Sequence, residues 1–251
     1  VFSNKNKELV LLQSTKRIEF IVYYLACLRN NKIVLVYDEE IDLNFYNELI
    51  NKYKPQHIFN FSKSSNCYEH TLIKPSNVIY HDDLVLLVLT SGSTGDPKAV
   101  RISKKNLQFA TNSICEYLKL KNSNHVFMSL LSFSYSYGLS VLHNCIMSKS
   151  SMYITNNSVV DKGFKTKLID NKITDISCVP FMIEVICRLD SKFVENITCV
   201  TQAGGRLPDK FQTRMLNLAS KYNFEYYTMY GQTEASPRIT YVPYDSKALD
   251  K

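Results

Sequence analysis

Leu84-Val-Leu-Leu-Val-Leu-Thr90-Ser-Gly-Ser-Thr-Gly-Asp-Pro-Lys98-Ala-Val-Arg-Ile102 is the stretch on which the fold turns. Its six leading apolar residues do not alternate, which predicts a strand buried on both faces. Thr90–Lys98 cannot continue that strand, because two glycines, four hydroxyls and a proline make a loop. Ala99–Ile102 then alternates like a second strand, so the loop is hairpin-like and no helix follows it directly.

Outward from this hairpin, apolar strands alternate with amphipathic helices. Glu8-Leu-Val-Leu-Leu12, Ile33-Val-Leu-Val-Tyr37 and His57-Ile-Phe-Asn60 read as strands. Between them, Ile18, Ile21, Val22, Leu25 and Leu28, then Leu43, Tyr46, Leu49, Ile50 and Tyr53, recur at helical spacing. Ser14 is available to cap the first of these helices. Residues 61–80 read as one extended irregular connection. Further strands are predicted at 125–130, 151–155, 174–179, 196–201 and 225–229, and helices near 104–118, 137–148, 159–170, 181–190 and 208–222. The class is α/β, with largely parallel sheets flanked by helices and joined by right-handed crossovers.

Composition bounds the function classes. The chain has 251 residues, 45% apolar and 21% charged, which excludes a disordered tail, a collagen-like fibre and a small disulfide scaffold. Its net charge, 30 − 23 = +7, suits an anionic partner or simply a lysine-rich solvated surface. Lys104-Lys105 and the Lys162, Lys165, Lys167 group are too short for a nucleic-acid arm, so no nucleic-acid partner is expected. The seven cysteines are odd in number, widely spaced and mostly inside apolar runs, with no C-x-x-C pair. That reads as buried thiols in a reducing, cytoplasmic compartment, with no zinc or redox site. Val126–Ser148 carries no Asp, Glu, Lys or Arg, but its serines, His143 and Asn144 are too polar for lipid. No membrane span is expected; that stretch reads as a buried strand, a turn and a helix.

The hairpin loop is suited to phosphate. Gly92 and Gly95 let backbone N–H groups point at an anion. Thr90, Ser91, Ser93 and Thr94 supply hydroxyl donors, and Lys98 a mobile positive charge. It is not a Walker loop, since Pro97 stands five residues after Gly92 and no Gly-Lys-Ser/Thr triplet occurs.

Thr90-Ser-Gly-Ser-Thr-Gly-Asp-Pro-Lys98 resembles the signature loop of the adenylate-forming (ANL) superfamily, AMP-dependent synthetases and ligases of the acyl-CoA synthetase type. Ala99 replaces the glycine that commonly follows the lysine. Two further segments agree in order: Ala203-Gly-Gly-Arg-Leu-Pro208 after a predicted strand, and Tyr230-Gly-Gln-Thr-Glu234, similar to the family's Tyr-Gly-x-Thr-Glu element.

The resemblance implies the following roles. ATP is held by Thr90, Ser91, Gly92, Ser93, Thr94, Gly95 and Lys98 on the phosphates, with Gly204, Gly205, Tyr230 and Gly231 around adenine. Thr233 bonds the α-phosphate, and Glu234 is the Mg²⁺ ligand, so Lys98, Thr233 and Glu234 form the catalytic set. Phe133-Ser-Tyr-Ser-Tyr-Gly-Leu139 sits where the family places its acyl-pocket aromatics. Tyr135, Tyr137, Gly138 and Gly204 are therefore candidate substrate-pocket residues. That segment has no acidic residue to hold an α-ammonium, which favours a plain acid over an α-amino acid.

The implied activity is ATP-dependent activation of a carboxylic acid, then transfer to CoA or a carrier-protein thiol. The alternative is a non-catalytic nucleotide-binding or scaffolding module derived from the same fold. The implied architecture is part of the large N-terminal domain of an acyl-CoA synthetase-like fold. On that reading residues 1–251 form a partial AMP-binding (adenylation) core with a candidate division into 1–80 and 81–251, without the small C-terminal domain. The Val1 start and the short Ala235–Lys251 tail read as cut edges, and the chemistry as incomplete.

Overall fold

A computed structural model describes residues 7–73, 78–90, 97–120, 124–189 and 191–243, residues 191–193 through their backbone only. Two compact units form: one from the described residues up to Phe109 with Ser132–Ser136, the other from Ala110–Leu131 and from Tyr137 onward. Each carries its own six-stranded sheet.

In the first unit, β1 (Leu9–Ser14), β2 (Ile33–Asp38), β3 (His57–Ser62), β4 (Cys67–Leu72), β5 (Leu84–Thr90) and β6 (Lys98–Ser103) are ordered β4-β3-β1-β2-β5-β6. The inner four are parallel, and β4 and β6 pair antiparallel at the edges. β1 and β2 are buried at nearly every position, as centre strands covered on both faces must be. Helix α1 (Ile18–Arg29) follows β1 and helix α2 (Leu43–Tyr53) follows β2. Leu49 of α2 joins Leu9, Leu11, Ile33, Leu35 and Leu87 in one core cluster.

Two expectations fail in this unit. Residues 61–80 are not wholly irregular, because β4 forms a hairpin with β3 around Asn66, which takes a left-handed backbone (φ 51°). Only Tyr68 of β4 is buried, so the strand is specified by backbone pairing at an edge and leaves no apolar period to read. Ser14 does not cap α1: it ends β1, and Arg17 is the N-cap residue without a side-chain cap bond. A cap must stand immediately before the first helical residue, and Ser14 is too far upstream. By contrast, Asp42 caps α2 by accepting from the Phe45 N–H at 2.9 Å.

In the second unit, β7 (Val126–Met128), β8 (Ser151–Tyr153), β9 (Asp175–Cys178), β10 (Cys199–Gln202), β11 (Glu225–Tyr230) and β12 (Thr240–Pro243) are ordered β12-β11-β10-β9-β7-β8. All pair parallel except β12, antiparallel on β11. Helices α3 (Lys104–Tyr117, its first turns in the first unit), α4 (Ser136–Met147), α5 (Phe164–Asp170), α6 (Pro180–Ile186) and α7 (Asp209–Tyr222) complete it.

Successive strand residues serve opposite faces of this sheet. Met128, Val200 and Tyr226 pack with Phe164, Leu168, Ile183, Ile186, Phe211 and Met215 from α5, α6 and α7. Phe127, Cys199 and Tyr227 pack instead with Ile114 of α3 and with Tyr137, Val141 and Cys145 of α4. The result is three layers, helix–sheet–helix, as the alternating pattern implied.

α5 begins at Phe164 and not near 159, because the Asp161 carboxylate accepts from Ser158 N (2.8 Å) and Asn157 Nδ2 (3.0 Å), closing a turn first. β12 was not anticipated, since all four of its residues are exposed. No helix among the described residues is long and apolar enough to cross a membrane; Val126–Ser148 is instead a strand, a turn and helix α4.

Candidate functional site

Residues with candidate roles occur in both units, and each set is held locally. In the first unit, β2 and β5 run parallel with Val36 opposite Val88, so Asp38 and Thr90 end at the same sheet edge. Thr90 and Lys98 are register partners on the antiparallel β5–β6 pair, which closes the hairpin. The Thr90 hydroxyl lies 3.5 Å from the Lys98 carbonyl oxygen, and the Lys98 side chain is exposed. Ser91, Gly92, Ser93, Thr94 and Gly95 fall outside the described residues.

Tyr135 belongs to this unit and is 44% exposed. Its segment is tied down by a residue that the sequence reading missed. The Asp38 carboxylate accepts from Ser132 Oγ at 2.9 Å and Ser134 Oγ at 2.7 Å, while Phe133 stacks on Phe20 at 5.3 Å. Burial pushes the Asp38 carboxyl up. The hydroxyl bonds from Ser134 and Ser132, with the Glu40 N–H, outweigh that and leave it below the usual range. An Asp at a strand end is the only local signal, and its partners are far along the chain.

In the second unit, parallel β10 and β11 align Gln202 with Thr228, so their following loops leave the same edge. Carboxyl-end loops of parallel strands are where α/β proteins take ligands. Gly204 adopts a left-handed φ of 87°, which a side chain tolerates poorly, and both Gly204 and Gly205 are exposed. The buried Gln202 amide donates to the Gly205 carbonyl at 2.9 Å and fixes the turn. A Cβ on Gly205 would come within 3.3 Å of Pro180, the first residue of α6.

After β11 the chain makes a compact loop with a short 3-10 turn at Thr233–Ala235. Ser236 N donates to Thr233 O at 3.1 Å, and Ile239 N returns to Tyr230 O at 3.0 Å. A Cβ on Gly231 would fall 1.8 Å from the Pro237 carbonyl oxygen, so only glycine fits there. The Tyr230 ring is 61% exposed, a flat face open to a planar ligand, and Glu234 is exposed beside it in sequence. α7 braces β11 from behind: Gln212 Nε2 donates to Thr228 Oγ1, and Tyr226 donates to Gln212 Oε1, each at 3.0 Å.

Tyr137 and Gly138, the other two candidate pocket residues, are buried at the start of α4. The Tyr137 hydroxyl lies 2.7 Å from Thr201 Oγ1, which lies 2.9 Å from Ser177 Oγ, a row of hydroxyls across β10 and β9. Burial raises the Tyr137 phenol above its ordinary pKa, so it stays protonated and acts through its hydroxyl. Arg238 was missed as well. Its guanidinium carbon lies 4.3 Å from the Tyr137 ring centroid. No group of three or more His, Cys, Asp or Glu side chains among the described residues could hold a metal.

The fold and these loops define an α/β protein whose strand ends expose backbone, a lysine and an open aromatic ring. A sequence profile described as AMP-binding enzyme matches residues 4–250, and the chain belongs to that family. The chain is similar to a 2-succinylbenzoate–CoA ligase of Oceanobacillus iheyensis, 30% identical over 179 residues, covering 70% of this chain and 36% of the relative. It is also similar to a D-alanine–D-alanyl carrier protein ligase of Bacillus licheniformis, 23% identical over 252 residues, covering 92% of this chain and 49% of the relative. It thus spans half or less of the length of these relatives. Among solved structures, an o-succinylbenzoate CoA synthetase (MenE) from Bacillus subtilis in complex with ATP and magnesium superposes with a TM-score of 0.77 at 18% identity. That match covers 99% of this chain and 54% of the other.

Proposed function

We propose that the protein to which this chain contributes is an ATP-dependent acid–thiol ligase, and that this chain supplies nucleotide- and acid-binding residues. The single observation that carries the reading is the family match over residues 4–250, with the Gly204–Gly205 and Tyr230–Glu234 loops leaving adjacent parallel strands at one edge. In the reaction an acid carboxylate oxygen attacks the α-phosphorus of ATP, and the bond to the β-phosphate oxygen breaks. Acyl-adenylate forms and pyrophosphate leaves. A thiol sulfur then attacks the acyl carbon, the carbon–oxygen bond to the AMP phosphate breaks and the thiol proton passes to solvent, giving a thioester and AMP. In the first step the attacking carboxylate is already an anion, so no general base is needed there. The demand on the protein is positioning and charge neutralisation.

We assign Ser91, Ser93, Thr94 and Lys98 to the β- and γ-phosphates, with Thr90, Gly92 and Gly95 shaping that loop. Tyr230, Gly204, Gly205 and Gly231 hold adenine, and Thr233 the α-phosphate. Tyr135, Tyr137, Gly138 and Gly204 serve the acid. The fit is supported by the exposed Tyr230 face, by the tight loop closure at Gly231 that holds Tyr230 and Glu234 in one short turn, and by an exposed Glu234 carboxylate with no ion pair among the described residues. Glu234 would hold Mg²⁺, a hard oxygen ligand completed by phosphate oxygens and water. When bound, the ion neutralises phosphate charge as pyrophosphate departs. The two relatives' names point to different acids and acceptors, CoA in one and a carrier protein in the other. All seven cysteines are free, which supports a reducing, cytoplasmic setting.

The test is pyrophosphate release and hydroxylamine trapping by the full-length protein over a panel of carboxylic acids. Glu234→Ala should lower pyrophosphate release about 100-fold or more while leaving AMP binding within a few-fold. Acid-dependent release that is equal in the variant and the wild type would refute the metal-ligand role. Adenine-nucleotide binding with no acid-dependent release would favour the non-catalytic alternative.

A further inference from the structure

Arg238 stands where the chain turns from the Tyr230–Glu234 loop into β12, and its electrostatics are incomplete. Tyr137 covers one face of the guanidinium at 4.3 Å. The guanidinium donates to the Tyr117 hydroxyl, which itself donates to Met229 Sδ at 3.3 Å. Its Nε is fully buried and has no hydrogen-bond partner among the described residues. The ion pairs described in this unit join Lys119 to Glu225, His125 to Asp175, Arg188 to Glu184 and Arg206 to Asp209, and none of them includes Arg238.

A partly buried guanidinium loses hydration that a ring face and one phenol oxygen only partly replace. A buried donor left unpaired is costly, and proteins rarely keep one without use. A carboxylate is the group whose charge and geometry complement a guanidinium so placed. The Tyr137 side chain beneath Arg238 is one already assigned to the acid, and its hydroxyl continues into the Thr201–Ser177 row.

We propose that Arg238 receives a second anionic group, a carboxylate, carried by the acid substrate, so that the preferred substrates are dicarboxylic acids. This rests on the reading of the protein as an acid-activating ligase. Arg238 is then a specificity-determining residue. It takes the carboxylate that does not react, while the reacting one meets the α-phosphate beside Thr233. With Nε enclosed, the two terminal nitrogens of the half-buried guanidinium are the donors that can meet a carboxylate.

The experiment pairs acids of equal length, succinate with butyrate, glutarate with valerate and phthalate with benzoate, in the full-length protein. Hydroxamate formation gives kcat/KM for each, and thermal shift with each acid reads binding without turnover. The expected wild-type preference for one or more dicarboxylates is about 10-fold or greater over the matched monocarboxylate. Arg238→Met should collapse that ratio by about 10-fold or more through KM of the dicarboxylate, and Arg238→Lys should recover part of it.

A wild type with neither turnover nor binding selective for dicarboxylates overturns the proposal. So does an Arg238→Met protein that keeps its fold by circular dichroism but loses both members of each pair equally. If no acid is turned over yet dicarboxylates stabilise the wild type and not Arg238→Met, the anion site stands and the ligase reading fails. Should Arg238→Met not fold, Arg238→Gln carries the same comparison.

Discussion

At the scale of single residues, the candidate site is governed by backbone approach as much as by side-chain chemistry. Gly231 is the clearest case, with space for a Cβ already taken by the Pro237 carbonyl oxygen at 1.8 Å. That neighbour is backbone, so it cannot rotate away as a side chain would. Gly231→Ala must move the Tyr230–Glu234 loop, and it is expected to cost about 3 kcal/mol and to weaken adenine-nucleotide binding. Gly163→Ala is the control: a Cβ there meets only Lys167 Cε at 4.0 Å, and the change should stay within about 0.5 kcal/mol. Denaturant unfolding of both variants checks this, and equal stabilities would show that the loop yields more easily than its geometry implies. The glycine was readable from sequence as part of a motif, but the atom that demands it was not. Arg238 and Asp38 were illegible for a related reason, since their meaning lies in partners distant along the chain.

At the scale of elements, legibility followed burial. Strands covered on both faces, such as β1 and β2, announce themselves as unbroken apolar runs, and helices α2 and α7 by their periodicity. β4 and β12 are edge strands with mostly exposed residues, held by antiparallel pairing and a few ring contacts, and burial leaves no apolar period to register there. Polar staples between elements are equally invisible in the sequence. His125, just before β7, bonds the buried Asp175 of β9 through Nδ1 at 2.9 Å. That bond raises the His125 pKa, against a smaller opposing effect of burial. A histidine whose folded pKa exceeds its unfolded value of about 6.5 stabilises fully below that value. The contribution is lost as pH rises through the folded pKa. Unfolding measured from pH 5.5 to 8.5 should show wild type losing about 1 kcal/mol relative to His125→Gln across that window. A pH-independent difference between the two proteins would mean that the pair is held as a neutral hydrogen bond.

At the scale of the whole molecule, the α/β class followed from alternation alone, and the order of the strands did not. Nothing in the local sequence says that β5 lies against β2 while β3 lies against β1, or that the parallel sheets end in antiparallel edges. Those choices come from which apolar faces close together, and the cysteines record that closure. Cys27, Cys145, Cys178, Cys187 and Cys199 are buried, Cys115 is half-buried and Cys67 is exposed. Burial pushes the thiols of Cys27 and Cys145 up to about 12 and those of Cys115 and Cys187 to about 11, and it raises Cys178 and Cys199 as well. The thiolate is the reactive form, so at pH 8 these groups are suppressed both by protonation and by lack of access. An aromatic disulfide reagent added to the native protein should label Cys67 rapidly and Cys115 more slowly. The other five should react only as denaturant opens the cores, with Cys27 reporting on the first unit and the remaining four on the second. Cys67→Ser should remove the rapid phase and nothing else. Rapid labelling of Cys27 or Cys178 in the absence of denaturant would show that a core containing it opens in the native state, contrary to the packing of both sheets.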